Sequence, residues 1–239
     1  MEGLRRAIHI VTCSAVSVVM GAALPVGGDE LHRAGWREDF HSQPAGWELR
    51  TVARAKPAEF RIEPPNDEHD GALLMTAENA SGMFATHLSG VDLHQTPILR
   101  WRWRAITLPT GADGRVPARD DQAIGIYVSS GGLLRQRSIA YRWETETPVG
   151  TEGEVSYAAG IVHAKWIAVR NAQDAAAGTF FTEERNVARD FQRAFGFVPT
   201  DVSIGVTCNS EYTDSTAVAE LDWIELGAAP NGPDESETQ

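Results

Sequence analysis

The chain has 239 residues, 42% hydrophobic and 23% charged, the balance of a folded globular protein rather than a disordered one. Its 21 Lys and Arg are outnumbered by 33 Asp and Glu, and the net charge of -12 argues against nonspecific nucleic-acid binding. Cysteine occurs only at Cys13 and Cys208, which excludes a disulfide framework and a cysteine-based zinc site.

Arg5 and Arg6 precede a mostly apolar stretch, Ala7 to Ala23, which closes on the small residues Gly21, Ala22 and Ala23. That order is the one a cleaved secretory signal peptide has. Residues 1–23 are therefore expected to be a leader. The mature protein is expected to be exported, periplasmic or extracellular, with no membrane attachment after cleavage. Loss of Cys13 with the leader leaves Cys208 as the sole thiol.

Residues 30–228 read as a single all-β domain, a jelly-roll-like two-sheet β-sandwich. Period-2 segments recur at 48–52, 60–63, 72–78, 83–89, 98–106, 122–130, 138–145, 155–163, 166–170, 202–208 and 217–226. Gly and Pro punctuate the gaps, as at Pro64-Pro65, Gly71, Gly131-Gly132 and Pro148. One stretch changes period. Thr182 followed by Glu183 and Glu184 resembles a capped helix start, and Val187, Phe191 and Phe195 form one stripe at i, i+4 and i+8. Gly196 and Pro199 supply the stop. A single short helix over about 183–195 is expected, packed against the sandwich. The acidic tail 229–239 is expected to be disordered.

The strand Ile98–Ile106 is the most informative. Alternation points Leu99, Trp101, Trp103 and Ala105 one way and Arg100, Arg102 and Arg104 the other. Three guanidiniums in a row repel one another unless carboxylates on neighbouring strands, or a bound anion, lie opposite. On the segment 138–144, Ile139, Tyr141 and Trp143 share one face, and Arg142 and Glu144 the other. Tyr127 alternates away from Ile124, Ile126 and Val128. Trp101, Trp103, Trp143 and Trp223 fall with aliphatics and read as core, leaving Trp36, Trp47 and Trp166 as sugar-stacking candidates. The candidate ligand-binding set is Arg102, Arg104, Tyr127, Arg142, Asp120 and Asp121.

No His-x-His or His-Glu-x-x-His spacing supports catalytic zinc, and no nucleophile elbow or phosphate-binding glycine loop is present. No cofactor is required by any motif. Calcium needs six to eight oxygen ligands. If the first and last strands pair, Asp39 and Asp222 approach one another, which makes them the candidate ligands of a structural calcium.

Several runs together resemble one family: Pro97-x-x-x-Trp101-Arg102-Trp103, Asp120-Asp121, Tyr127-Val128, Tyr141-x-Trp143, Glu184-Arg185-Asn186-Val187-x-x-Asp190-Phe191, Phe195-Gly196-x-x-Pro199 and Asn209-Ser210-Glu211-x-Thr213. The chain is similar, from about Phe40 to Leu226, to the bacterial exported family called domain of unknown function 3047. The resemblance implies a secreted or periplasmic β-sandwich and assigns no activity. Its pattern has Asp-Ser-Asp where this chain has Asn209-Ser210-Glu211, which weakens any metal site in that loop.

The expected function is binding of a polysaccharide or cell-envelope glycan by a noncatalytic module. Two alternatives stand beside it. One is a lyase or glycoside hydrolase with Arg102, Arg104, Tyr141 and the Asp120–Asp121 pair in one cleft. The other is a structural envelope protein without a small ligand.

Overall fold

The computed structural model describes residues 35–51, 55–132, 135–157, 162–175 and 178–229. The expected leader, and all of the expected tail beyond Ala229, lie outside the described residues. Fourteen strands are described: β1 (Trp36–Glu38), β2 (Glu48–Thr51), β3 (Lys56–Pro57), β4 (Glu59–Glu63), β5 (Ala72–Glu78), β6 (Ala80–Leu88), β7 (Ile98–Thr107), β8 (Ile124–Ser130), β9 (Gln136–Trp143), β10 (Glu152–Tyr157), β11 (Val162–Arg170), β12 (Phe181–Asn186), β13 (Val202–Asn209) and β14 (Thr216–Gly227). A one-turn helix α1 (Ala172–Ala175), the helix α2 (Val187–Phe195) and a 3-10 turn at Pro117–Arg119 complete the regular structure of the described residues.

The strands form two sheets, and the fold is a jelly-roll-like β-sandwich. The smaller sheet runs β12-β7-β14-β5-β4, with β1 also paired to β14. The larger runs β10-β11-β9-β8-β13-β6-β2, with β3 beside β6. The first and last strands do pair, Trp36 opposite Leu226 and Glu38 opposite Ile224.

Alternation on β7 sends Leu99, Trp101, Trp103 and Ala105 inward, each at most 1% exposed. They meet the inward side chains of β9 ring to ring. Trp101 stacks on Tyr141 at 5.3 Å between centroids, and Trp103 meets Trp143 edge-on at 5.5 Å. Ile204, Val206 and Cys208 of β13 complete this layer, all fully buried. Burying one such large apolar side chain contributes about 1.5–3 kcal/mol, so this layer holds the sheets together.

Three local departures from the sequence reading have physical reasons. Thr182 to Asn186 are strand, not helix: β12 pairs antiparallel with β7, Glu184 opposite Arg100. The strand places an acid against an arginine there, and this tertiary pairing overrides the local helix signal. α2 starts only at Val187, with the Asn186 side chain accepting from the Arg189 amide, and ends at Gly196 in the left-handed conformation at φ +80. A bulge between Leu221 and Trp223 resets the alternation of β14, so Trp223 joins the outer face and Ile224 enters the core. The segment expected as one strand over 155–163 divides between β10 and β11, which pair as antiparallel neighbours.

α2 closes one side of the sandwich. Val187 and Phe191 are fully buried, and Tyr141 donates to Asp190 at 2.7 Å.

Candidate functional site

The six candidate ligand-binding residues fall in three places. Arg102 and Arg104 lie on the outer face of the smaller sheet, where the flanking strands β12 and β14 supply acids. Arg100 bonds Glu184 at 2.7 Å and lies 3.6 Å from Glu225. Arg102 bonds Asp222 and donates to the Glu68 carbonyl at 3.1 Å. Arg104 bonds Glu220 at 2.7 Å and Glu68 at 2.8 Å, and donates to the Gly178 carbonyl at 3.1 Å. The ring of Phe180 covers both guanidiniums, 4.2 Å from Arg102 and 4.4 Å from Arg104. The row is thus an Arg–carboxylate ladder under an aromatic lid.

Tyr127, Arg142 and Asp120 meet on the outer face of the larger sheet, on the opposite side of the sandwich. Arg142 is 1% exposed. It donates to Asp120 at 2.7 Å and to the Tyr127 hydroxyl at 3.1 Å, lies 3.5 Å from Glu144, and sits 5.0 Å over the Trp166 ring. Burial raises the Glu144 carboxyl above its ordinary value against the pull of Arg142. Tyr127 and Trp166 belong to a second apolar cluster with Ala140, Ala164 and Ala168. Gly153 makes room for it, since a Cβ there would stand 2.1 Å from the Trp166 ring. Trp166 is therefore packed, only 3% exposed, and Trp47 is buried at 8%.

Asp121 lies apart from its neighbour Asp120. It is fully buried and accepts from the Thr213 amide and hydroxyl, both at 2.8 Å. It ties the loop before β8 to the loop before β14. Asp39 and Asp222 border one polar cleft of about 390 Å3, together with His41, Asp67 and Asp70. Asp39 pairs with Arg37 at 2.6 Å and Asp222 with Arg102. Among the described residues, no group of three or more His, Cys, Asp or Glu is arranged to hold a metal ion.

The open concavity that the sequence reading missed runs along α2. One lobe, about 740 Å3, lies between α2, the end of β12 and the start of β10, lined by Glu152, Ile167, Glu184, Arg185, Asn186, Arg189, Asp190, Gln192 and Arg193. A second lobe of about 330 Å3 shares Glu152, Ile167, Asp190 and Arg193, and adds Ile139, Glu154, Lys165 and Ala194. The Arg193–Glu152 pair, 2.8 Å apart and more than half exposed on both sides, stands where the lobes meet.

The charges in this groove are ordered from below. Asp190 accepts from Tyr141 and from Arg185 at 3.1 Å. Burial first, then the charge of Asp190, hold the Tyr141 hydroxyl well above its ordinary value, so it remains a donor. Glu154 pairs with Lys165 at 2.6 Å and stands 3.4 Å from His163. Beyond Ala194 the helix ends in a cluster of Phe191, Phe195 and Phe197, with Phe197 40% exposed. The signal available in the sequence was Arg185, Arg189 and Arg193 at i, i+4 and i+8, a stripe opposite the apolar one.

The fold and these surfaces define a β-sandwich with a polar groove along α2, the one multi-turn helix among the described residues. The chain belongs to the family described as "Protein of unknown function (DUF3047)", whose model matches residues 45–225. No curated protein matches the chain. Among solved structures it is similar to the family 11 carbohydrate-binding module of the cellulosomal cellulase Lic26A-Cel5E of Clostridium thermocellum, at 10% identity and TM-score 0.45, covering 84% of this chain and 99% of that one. It is similar to the winged bean acidic lectin complexed with methyl-alpha-D-galactose, at 10% identity and TM-score 0.45, covering 83% and 100%. A third is the xyloglucanase domain of NopAA, a type three effector from Sinorhizobium fredii, at 11% identity and TM-score 0.44, covering 80% and 98%. Likeness this distant carries no argument about ligand or activity.

Proposed function

We propose that the protein is an exported glycan-binding β-sandwich whose ligand, a polysaccharide or cell-envelope glycan, lies in the groove along α2. The observation that carries the reading is the composition of that groove. Its walls set guanidinium, carboxylate and amide groups side by side, and the half-buried Ala194 borders them above the buried Ile139 and Ile167. A sugar ring has the matching character, hydroxyls that both donate and accept around its rim and weakly apolar C–H faces. Side-by-side donors and acceptors on a preformed frame suit such a ligand. By contrast, the guanidiniums of β7 and of Arg142 are already bonded to the chain's own acceptors.

Export rests on the order of Arg5-Arg6, the apolar run to Ala23 and the small residues that close it. A second reading, a polysaccharide-active enzyme, is favoured by one observation. Asp190 borders both lobes and is bonded from behind by Arg185 and by the buried Tyr141. That arrangement resembles the support a working carboxylate needs.

A glycan array with product analysis tests the three alternatives. Retention without turnover supports the binding module, and turnover supports the enzyme. Absence of both overturns the glycan reading and leaves a structural role in the envelope.

A further inference from the structure

We infer that the ligand of the α2 groove is an anionic glycan, a chain carrying carboxylate or sulfate groups, and that Arg189 selects it. This rests on the glycan reading of the groove and narrows it to one class of chain.

The groove's carboxylates are each held by a basic group of the same protein: Glu152 by Arg193, Glu154 by Lys165, Glu184 by Arg100, and Asp190 by Arg185. Its cations are held in turn by those acids, with one exception. Among the described residues, the Arg189 guanidinium has no carboxylate, carbonyl or aromatic ring as a partner, and it is exposed where it lines the larger lobe. Glu184 is held from outside the groove, by Arg100, so the lining balances four acids with four bases, and Arg189 is the one cation among them left without a partner at close range.

The folding of α2 does not explain that charge. Arg189 is the third helical residue, and helix N-termini favour acids over bases because the amide dipoles leave positive potential there. Arg193, in the last turn, stands at the end where a cation is stabilising. Arg189 thus has neither a partner nor a helical reason for its charge, a local inconsistency of the kind expected at functional positions. A planar guanidinium with five donors matches a carboxylate or sulfate in a way a hydroxyl does not. An incoming anion would need little rearrangement. The exposed Arg193–Glu152 pair between the lobes contributes little to stability, so it can swing aside for a chain that occupies both.

The overall charge sharpens the test. A protein of net charge -12 repels polyanions at large, so retention of one requires a specific local site.

The experiment measures affinity of the full chain for polygalacturonate, its fully methyl-esterified form, dextran sulfate and dextran. It uses the wild type, Arg189→Gln, Arg189→Lys and Arg50→Gln, with thermal unfolding recorded for each. Arg50 is exposed and lies on β2, outside the groove, so its loss controls for net charge. The expected result is that an acidic chain binds at least about tenfold more tightly than its neutral counterpart, and that Arg189→Gln removes about that factor, as loss of a charge-assisted hydrogen bond does. Arg189→Lys should fall between, because it keeps the charge and loses the fork. Arg50→Gln should bind as the wild type, and raising salt from about 50 mM to about 500 mM should weaken binding. Preference for polygalacturonate or for dextran sulfate identifies the anion as carboxylate or sulfate.

Equal or stronger binding of neutral chains, or an Arg189→Gln variant that folds and binds acidic chains unchanged, overturns the inference and leaves the glycan reading standing. An equal loss in Arg50→Gln also overturns it. Failure of every chain, neutral and acidic, overturns the glycan reading as well.

Discussion

Replacing Arg104 by Ala tests whether the arginine row of β7 is a structural ladder. Arg104 Nε lies 2.7 Å from Glu220, and Nη1 lies 2.8 Å from Glu68, beneath the Phe180 ring at 4.4 Å. The Arg104 side chain is 15% exposed and that of Glu220 only 9%. Truncation therefore leaves a carboxylate nearly out of water with its guanidinium gone. Breaking a buried pair from one side costs about 3–5 kcal/mol, and the remaining exposure places this one near about 3 kcal/mol. For a domain of about 200 residues, each kcal/mol shifts the melting temperature by about 2–4 °C, so a fall of about 6–12 °C is expected. Thermal and urea unfolding, followed by circular dichroism, measure it. The double variant Arg104→Ala/Glu220→Ala should regain part of the loss, because no orphan charge is left behind. A fall below about 2 °C, the range of an exposed pair, together with a double variant no more stable than the single one, would refute the ladder. It would mean that the guanidinium is held in reserve for something outside the chain.

Phe191→Ala should destabilise by about 3–5 kcal/mol, since the ring is fully buried between α2 and the sandwich, and denaturant midpoints check it. Cys208 should resist thiol reagents in the native protein and react fully in urea, because complete burial pushes its thiol far above the ordinary value. Asp113 supplies a pH dependence. The hydrogen bond from Arg115 holds its carboxyl well below the usual range, although burial opposes this. Its contribution is therefore complete above the unfolded carboxylate pKa of about 4 and is lost as pH falls below it. Asp113→Asn should be less stable than the wild type at neutral pH, with the difference shrinking between about pH 4 and pH 2 in unfolding titrations.

The alternation of β7 was legible because seven consecutive residues, Leu99 to Ala105, keep strict period 2, with apolar side chains on one side and arginines on the other. What alternation cannot convey is which sheet a strand joins. Arg142 and Tyr127 share a face with each other, but β9 pairs with β8 and β11 while β7 pairs with β12 and β14. The candidate set is therefore split between opposite sides of the molecule. Long-range pairing, invisible in a local pattern, also turned Thr182 to Asn186 into strand. Trp223 was misplaced for a smaller reason, one extra residue at a bulge that leaves no mark in composition. The Val187–Phe191–Phe195 stripe and the Gly196 stop were legible, since a helix end needs only local signals. The groove beside that helix was not, because its second wall comes from β10, more than thirty residues upstream of α2 in the chain.

The most direct test of the groove is a titration of isotopically labelled protein with an oligosaccharide that the array retains, following backbone amide shifts by NMR. The account predicts shifts concentrated at Glu152–Glu154, Lys165–Ile167 and Arg185–Arg193, the residues around both lobes. Shifts confined instead to β7 and β14, or to the Tyr127–Arg142 side of the larger sheet, would contradict it.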